Sequence, residues 1–443
     1  MKCAEIVDGA ASGHLLVFGS LPPDGRDLDL LVRSEHQKEI EGALAKAGFL
    51  QRGTQWVRFE GCSAEALDIV PAGGWGLAPE ALDDLYAKAR KVEGYNHLVE
   101  PAPHHSLLIL ARRMVLAGGE LDHKRRERVR RALTEDFAAW ERAQQVAHGW
   151  SSGRAALALE RLYKTGVPIS RRVRAAALSE RGGGSIGARV HAWRTVLVRR
   201  RGRGLVAFSG LDGSGKSTQA EALKETLERV RGDTVIVWTR LSYNPSLKML
   251  AKPAKVLLNR RRTSSNGETG VVDAIDLGTE LRRKNPAVTQ GWATMVAVAN
   301  AVSQARLARY HLRRGRFVVC DRYTLDSRVH LRYRYGTQQR FGLQARIINT
   351  LSPRPIRAYL VEVPPPVANQ RKAEQYDLDQ LGVQARLYAE EGDGLDTKRI
   401  DGTRPKDELC EEVAEDVWRA LAQPKPSWRS RLHLFDVFRR SDH

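Results

Sequence analysis

A glycine-rich segment in the second half of the chain limits the possible folds more than any other feature. The segment LVAFSGLDGSGKSTQAEAL contains Gly210, four further residues and then Gly215-Lys216-Ser217, which is the G-x-x-x-x-G-K-[ST] pattern. An apolar run precedes it and good helix formers follow, so we predict strand, loop and helix. Glycines let successive backbone N–H groups turn toward phosphate oxygens, and the helix N-terminus favours the same anion. The segment therefore predicts a nucleoside triphosphate site.

The residue types of this loop indicate how ATP and Mg²⁺ would bind as cofactors. Lys216 would place its charge on the transferring phosphate, and the Ser217 hydroxyl is positioned to ligate Mg²⁺. The remaining residues expected to contact the nucleotide are Gly210, Asp212, Gly213, Ser214, Gly215 and Thr218.

The order of apolar and helical segments after Gly204 predicts an α/β fold. Apolar runs of strand length alternate with long helical patterns, which is typical of βαβ units and a parallel sheet with helices on both faces. The runs are LVAFSG, TVIVWTR, RFVVCD and IRAYLVEV.

These segments, taken in order, resemble the thymidylate kinase family over residues 204–422. The phosphate loop GLDGSGKSTQ and the Asp321-Arg322-Tyr323 strand end in RFVVCDRY are the specific parts of the resemblance. Weaker matches are VIVWTR, YLVEVPPPVANQRK and KRIDGTRPKDEL. The resemblance implies a nucleoside monophosphate kinase: an enzyme that transfers the γ-phosphate of ATP to a nucleoside monophosphate or a related phosphorylated acceptor.

The resemblance also implies residue roles. Arg240 would hold the acceptor monophosphate, Arg371 and Lys372 would be lid cations, and Asp212 would bind the acceptor's sugar hydroxyl. From the residues alone, Asp321 ends an apolar strand beside the loop and could hold the Mg²⁺ shell. The Arg322 guanidinium could bind two phosphate oxygens.

Two positions depart from the family pattern. Counting back from Asp321, the base-stacking Phe and the base-recognising Arg of the family fall at Ala297 and Ala301. After Tyr323 the segment TLDSRVHLRYRYG also differs from the family. We therefore expect that the acceptor is not dTMP, or that dTMP is a poor substrate.

The first hundred residues contain a second candidate site. The segments VFGSLPPDGRDLDLLV and ALDIVPA resemble the nucleotidyltransferase superfamily, with a Gly-Ser turn, Asp-x-Asp on a strand and a third acid on a neighbouring strand. Alternating strand side chains place Asp27 and Asp29 on one face. Together with Asp68 they could bind two Mg²⁺ ions and act in catalysis, while Gly19 and Ser20 contact the triphosphate. Solvated aspartates or a degenerate, inactive copy of the domain remain alternatives.

The texture also suggests four parts: a nucleotidyltransferase-like α/β domain at 1–103, a helical segment and arginine-rich connector at 104–203, the P-loop domain at 204–422 and a tail at 423–443. His104, His105 and His123 could suggest a metal, but no Cys or acid stands at ligand spacing, so we expect surface histidines. Four dispersed cysteines do not indicate a disulfide framework or a zinc knuckle. Without a signal peptide or an apolar run of about 18 residues, the sequence favours a soluble, cytoplasmic protein without membrane insertion.

The net charge of the chain also bears on its function. The chain has 72 Lys and Arg against 52 Asp and Glu, a net charge of +20. Residues 171–203 contain ten arginines and a single acid, Glu180. Such a segment could contact nucleic acid. Two alternatives to the kinase therefore stay open: a basic nucleic-acid-binding protein that uses the P-loop as an ATP switch, and a non-catalytic nucleotide-responsive regulator. The sequence does not define an oligomeric state.

Overall fold

The computed structural model describes residues 2–19, 27–117, 121–181, 204–238, 286–336, 341–372 and 377–422. They divide into two compact units, one within Met1–Phe59 and Ala64–Arg199 and one within Glu60–Ser63 and Arg200–His443. Ser20, Arg240, residues 182–203 and the tail at 423–443 lie outside the described residues.

The first unit contains a mixed sheet. Its strands are β1 (Leu15–Val17), β2 (Leu28–Val32), β3 (Leu50–Arg52), β4 (Gln55–Glu60), β5 (Ser63–Pro71), β6 (Arg90–Lys91) and β7 (Leu98–Glu100). Among the described residues they lie in the order β3-β4-β5-β2-β1-β7-β6. β2 pairs with β5 in parallel and with β1 in antiparallel orientation. Every residue of β2 is buried, so this strand lies in the interior of the unit.

Helices complete the first unit. They are α1 (Lys2–Ala10), α2 (Ser34–Lys46), α3 (Pro79–Ala87), α4 (Pro103–Ala117), α5 (His123–Glu135), α6 (Ala139–Val146), α7 (Gly153–Thr165) and α8 (Arg171–Arg181), with a 3₁₀ turn at Ala72–Trp75. The helical pattern predicted from residue 104 onward is present up to Arg181. Buried residues of α4, α6 and α7 form one apolar cluster with Phe18 and Leu31 from the sheet region, so helices and sheet share a core.

The second unit contains a parallel sheet. Its strands are β8 (Leu205–Gly210), β9 (Thr234–Trp238), β10 (Phe317–Asp321), β11 (Arg357–Glu362) and β12 (Lys398–Asp401). In the described part of the chain their order is β12-β11-β8-β10-β9, and every neighbouring pair is parallel. The parallel sheet predicted for this region is confirmed.

The helices of the second unit follow its strands. They are α9 (Lys216–Arg231), α10 (Pro286–Arg313), α11 (Thr324–Tyr335), α12 (Gly342–Leu351), α13 (Pro365–Arg371), α14 (Leu378–Asp393) and α15 (Lys406–Ala422). All residues of β8 and β10 are buried, which is the pattern of central strands covered on both faces. Because the strands are parallel, their carboxyl ends meet at one edge of the sheet, where β8 runs into the glycine-rich loop.

Within the described ranges, no helix combines the length and the apolar character needed to cross a membrane.

Candidate functional site

The glycine-rich loop is fixed by close backbone contacts. Gly210 has φ 148° and Gly213 has φ 88°, both in the region that favours glycine. A Cβ atom on Gly213 would lie 2.4 Å from the Ala368 carbonyl oxygen, and one on Gly210 would lie 2.5 Å from that of Val361. The loop backbone is therefore packed against the end of β11 and against α13, and side chains are excluded at both positions.

Lys216 begins α9 and lies across this loop. Its ammonium donates a hydrogen bond to the Leu211 carbonyl at 2.8 Å and lies 3.4 Å from Asp212 Oδ1. Burial, together with the charge of Arg322, lowers the pKa of the Lys216 ammonium. The Ser214 hydroxyl is buried without a hydrogen-bond partner in the described part of the chain. The loop therefore concentrates a buried cation and an unused polar group at the start of a helix, as an anion site requires.

Ser217 and Asp321 are in direct contact. The Ser217 hydroxyl donates a hydrogen bond to Asp321 Oδ2 at 2.6 Å. Parallel pairing aligns Asp321 with Phe208, so the carboxylate lies at the same sheet edge as the loop. The other oxygen, Asp321 Oδ1, is buried and has no partner among the described residues. A hydroxyl and a carboxylate with an unused oxygen are the hard ligands that Mg²⁺ prefers, so these residues fit the ion.

Arg322 is held beside the loop by carboxylates. It hydrogen-bonds Asp212, and its Nη1 lies 3.6 Å from Asp326 Oδ1. Burial disfavours the charge, but Asp326, Asp212 and Asp321 raise the pKa of the Arg322 guanidinium above its ordinary value. The residue has φ 72°, an uncommon conformation for a non-glycine residue that is typical of functional sites. The strand end therefore presents a permanent cation to the loop.

Two further residues of this network were not predicted from the sequence. Tyr388 of α14 donates a hydrogen bond to Asp326 Oδ1 at 2.8 Å, and Asp326 Oδ2 accepts one from the Tyr323 backbone N–H at 3.0 Å. The position of Asp326, three residues after Tyr323, is the spacing of a capping box and could have indicated its role. Tyr388 carries no comparable local signal.

The other predicted kinase residues are placed less centrally. Arg371 ends α13 and donates a hydrogen bond to the Gly402 carbonyl at 3.1 Å. Lys372 follows it and is exposed. The structure therefore brings Lys216, Ser217 and Asp321 together, while Arg371 lies at the turn after β12.

Ala297 and Ala301 lie on a buried face of α10. They pack in an apolar cluster with Leu331, Phe341 and Ile348. A phenylalanine and an arginine at these positions would need space that the cluster fills. This face of α10 therefore lacks both the aromatic ring and the guanidinium that the family resemblance predicts at these positions.

Polar side chains lie beside this cluster. Asn300 and Gln304 of α10 are buried and both donate hydrogen bonds to Ser327 Oγ, at 2.9 and 3.2 Å. Gln304 Oε1 is buried without a hydrogen-bond partner among the described residues. The sequence pattern did not indicate these amides as site candidates, because polar residues in a long helix usually lie on its solvent-exposed face.

The first unit places its predicted acids on adjacent strands. Asp29 of β2 is paired in register with Asp68 of β5, and Asp27 comes directly before β2. Arg113 of α4 contacts Asp29 Oδ2 at 3.2 Å. A Cβ atom on Gly19 would lie 2.6 Å from the same oxygen, so the Gly19 backbone packs closely on Asp29.

Burial and, to a smaller extent, charge repulsion raise carboxyl pKa values in this group. Burial, and then the neighbouring charges of Asp29 and Asp68, raise the pKa of the Asp27 carboxyl. Burial and the charge of Asp29 also raise the pKa of Asp68, against a hydrogen bond from Thr54 and the charge of Arg113. Asp68 Oδ1 is buried and unpartnered within the described residues. A bound cation would stabilise the ionised forms of Asp27 and Asp68 and so lower both pKa values.

The prediction that His104 and His105 are surface residues was wrong. Both are buried in the first turn of α4, with 6% and 0% of their surface exposed, because α3 and Trp150 cover them. His123, the first residue of α5, is exposed as expected.

Comparison with known proteins identifies relatives of this chain. No protein-family model matches it. It is 28% identical over 229 residues to the thymidylate kinase of Symbiobacterium thermophilum, which is 50% of this chain and 94% of that protein. It is 32% identical over 169 residues to the thymidylate kinase of Bifidobacterium longum strain DJO10A, which is 38% of this chain and 69% of that protein. The probable thymidylate kinase of Thermococcus kodakarensis is 28% identical over 122 residues, half of its length.

A parallel sheet with a phosphate loop on its central strand and an Asp-Arg pair ending the next strand is the architecture of a P-loop kinase. The similarity to the Bifidobacterium protein shows that the chain belongs to the thymidylate kinase family. That membership indicates nucleotide phosphoryl transfer at the level of the family.

The loop contacts lead to a prediction for Gly213. We expect Gly213→Ala to weaken ATP binding at least about tenfold, because the new Cβ meets a backbone carbonyl at 2.4 Å and the positive φ is strained. Isothermal titration with ATP and Mg²⁺ measures this. The matched control is Gly382→Ala in α14, where nothing lies within 4 Å of the added carbon. Equal ATP affinity in the two variants would contradict this account of the loop.

The raised pKa of Asp68 leads to a second prediction. Between the ordinary value of 3.8 and the raised value, the folded chain binds a proton that the unfolded chain releases, so stability falls as pH rises through this window. Asp68→Asn cannot ionise. It should therefore raise the unfolding temperature near neutral pH and have little effect below 3.8, as measured by circular dichroism.

The control for this prediction is Asp83→Asn, whose carboxylate is exposed and paired with Arg33. We expect no gain in the control. Mg²⁺ should raise the unfolding temperature of the wild type more than that of Asp68→Asn. A neutral-pH loss of stability in Asp68→Asn would show that the carboxylate is not under repulsion.

Proposed function

We propose that residues 204–422 transfer the γ-phosphate of ATP to a nucleoside monophosphate or a related phosphorylated acceptor. The observation that carries this proposal is the direct contact between Ser217 of the phosphate loop and Asp321 at the end of the adjacent strand. It joins the two sequence motifs of a P-loop kinase in one site.

Mg²⁺ held by Ser217 and Asp321 would neutralise charge on the donor phosphates. Phosphoryl transfer depends on positioning and charge neutralisation more than on covalent chemistry by the protein. The N–H groups of the loop orient the donor phosphates, and Lys216 places its ammonium beside them. In the described structure Lys216 is bound to the Leu211 carbonyl, so we infer that nucleotide binding exchanges this contact for a phosphate oxygen.

Arg322 would bind the phosphate side of the acceptor or the transferring group. Its guanidinium is charged at every accessible pH, and the hydrogen bond to Asp212 and the proximity of Asp326 fix its direction. We assign Arg371, Lys372 and Arg240 supporting contacts to phosphates, by family resemblance.

The acceptor we propose is not dTMP. Ala297 and Ala301 offer no ring for stacking and no guanidinium for a thymine carbonyl, and both are buried in the apolar cluster that contains Leu331 and Phe341. Loss of hydrogen-bonding groups to a base removes discrimination by several kcal/mol, on the order of a thousandfold or more. An acceptor with another base, or a phosphorylated sugar, would fit this site better.

A panel of nucleoside monophosphates and sugar phosphates with labelled ATP tests the kinase. We expect one acceptor to stimulate ADP formation, dTMP to be a poor one, and Lys216→Ala to reduce turnover at least about a hundredfold, since electrostatic contacts to the transferring group contribute this much. Lys224→Ala is the matched control, because Lys224 lies on the same helix and its ammonium is paired with Glu228 at 3.5 Å, on a partly exposed side chain.

Ordinary turnover of dTMP would contradict the assignment of the acceptor. Full activity of Lys216→Ala, with every acceptor, would contradict the kinase itself. Strongly salt-dependent binding to nucleic acid without phosphoryl transfer would favour the ATP-switch alternative instead, and binding without turnover of any kind would favour the regulator.

For the first unit we propose a nucleotidyltransferase. The in-register pair Asp29 and Asp68, with Asp27 nearby, supports this proposal, because such carboxylates can hold two Mg²⁺ ions that bind a triphosphate and activate an acceptor hydroxyl. Gly19 and Ser20 would contact the triphosphate.

Asp29→Asn tests this second activity. We expect it to abolish transfer of a nucleotide from labelled nucleoside triphosphates to an acceptor while ATP turnover by the second unit continues. Asp83→Asn is the control. Unchanged nucleotide transfer in Asp29→Asn would exclude a catalytic role for this carboxylate.

A further inference from the structure

A group of metal-binding side chains lies in the first unit apart from the predicted acids. It consists of Asp84 on α3 and of His104 and His105 in the first turn of α4. One ligand atom from each side chain lies within 4.8 Å of the others. Arg113, which contacts Asp29, follows His105 by eight positions in α4, a rise of about 12 Å along the helix axis. The histidine group therefore does not belong to the acidic site.

The geometry of the closest pair fits a bound ion. Asp84 Oδ2 and His105 Nε2 are 3.0 Å apart. Two ligands at about 2.0 Å from a tetrahedral zinc ion are separated by about 3.3 Å. An ion could replace the proton now shared by these two atoms with only a small movement of the side chains.

The second observation is the unused Nδ1 of His104, since the candidate ligand atom of His105 is the Nε2 that is paired with Asp84. Nδ1 of His104 and Nδ1 of His105 are buried and have no hydrogen-bond partner in the described part of the chain. Buried polar atoms without partners are costly and uncommon. The rings nevertheless lie together, with centroids 4.1 Å apart, and His105 is stacked on Trp150 at 5.4 Å. The protein thus holds two imidazoles rigidly without using their nitrogens fully.

We propose that Asp84, His104 and His105 bind a zinc-class divalent ion with a fourth position open to water. Two nitrogen ligands favour zinc and related transition metals over Mg²⁺ and Ca²⁺, which prefer oxygen. The Asp84 side chain is 31% exposed, which gives the ion access from solvent. Lys88, now 2.7 Å from Asp84 Oδ1, is half exposed and would move aside. The ion would clamp α3 to the start of α4.

The test uses the full chain without a polyhistidine tag, stripped of metal and kept in excess Mg²⁺ so that carboxylate sites are occupied. Zn²⁺ is titrated against a chromophoric chelator. We expect one equivalent to bind to the wild type, and affinity to fall at least about tenfold in His104→Ala, His105→Ala and Asp84→Asn. His123→Ala and Asp83→Asn are the controls, because both residues are exposed and lie outside the group.

Asp84→Asn keeps an acceptor for the His105 hydrogen bond and should therefore keep the fold. If the histidine variants unfold, Co²⁺ bound to the wild type decides: tetrahedral visible absorption supports the site, and an octahedral spectrum overturns it. Failure of the wild type to bind Zn²⁺, or equal affinity in Asp84→Asn and the controls, would also overturn the proposal.

Discussion

The contact between Ser217 and Asp321 is the interaction on which the kinase site depends. It exists because β8 and β10 are parallel neighbours in register, which brings the strand-end carboxylate beside the first turn of α9. Asp321 Oδ1 and Ser214 Oγ, both buried and without a hydrogen-bond partner among the described residues, lie in the same region. Polar groups left without partners inside a well-packed sheet edge are expected where a ligand completes the hydrogen bonding.

Arg322 extends this site through a network of carboxylates. Asp212 and Asp326 hold the guanidinium, and Tyr388 holds Asp326. The strained φ of Arg322 is maintained because its backbone N–H is bound to the Phe208 carbonyl. The cation is therefore positioned before any substrate arrives, which reduces the reorganisation that phosphoryl transfer would need.

Local sequence patterns made part of the fold and of the candidate site predictable. The loop around Lys216 and the apolar strand ending at Asp321 are each defined by consecutive residues, so the strands and the positions of these candidate residues could be predicted from local sequence. The role of Tyr388 could not, because its partner Asp326 is 62 positions away. The burial of His104 and His105 was missed for a similar reason: the covering residues are distant in the sequence, Asp84 on α3 and Trp150 in the turn between α6 and α7.

Ala297 and Ala301, which stand where the family has Phe and Arg, show what the sequence predicts less well. The sequence showed that the side chains expected for thymine recognition are missing, and the structure shows that both alanines are buried in one apolar cluster with Leu331 and Phe341. The acceptor is chosen by the groups that bind it, and one of them, the predicted phosphate ligand Arg240, lies outside the described residues. The chemistry of transfer is thus better defined than the choice of acceptor.

The most direct test of the central claim is a double-mutant cycle on Ser217 and Asp321, with the affinity for ATP measured with and without Mg²⁺. If both residues hold one ion, Ser217→Ala and Asp321→Asn each remove most of the Mg²⁺-dependent affinity and the double variant loses little more. Independent, additive losses, or affinities that do not depend on Mg²⁺ in the wild type, would contradict a shared magnesium site.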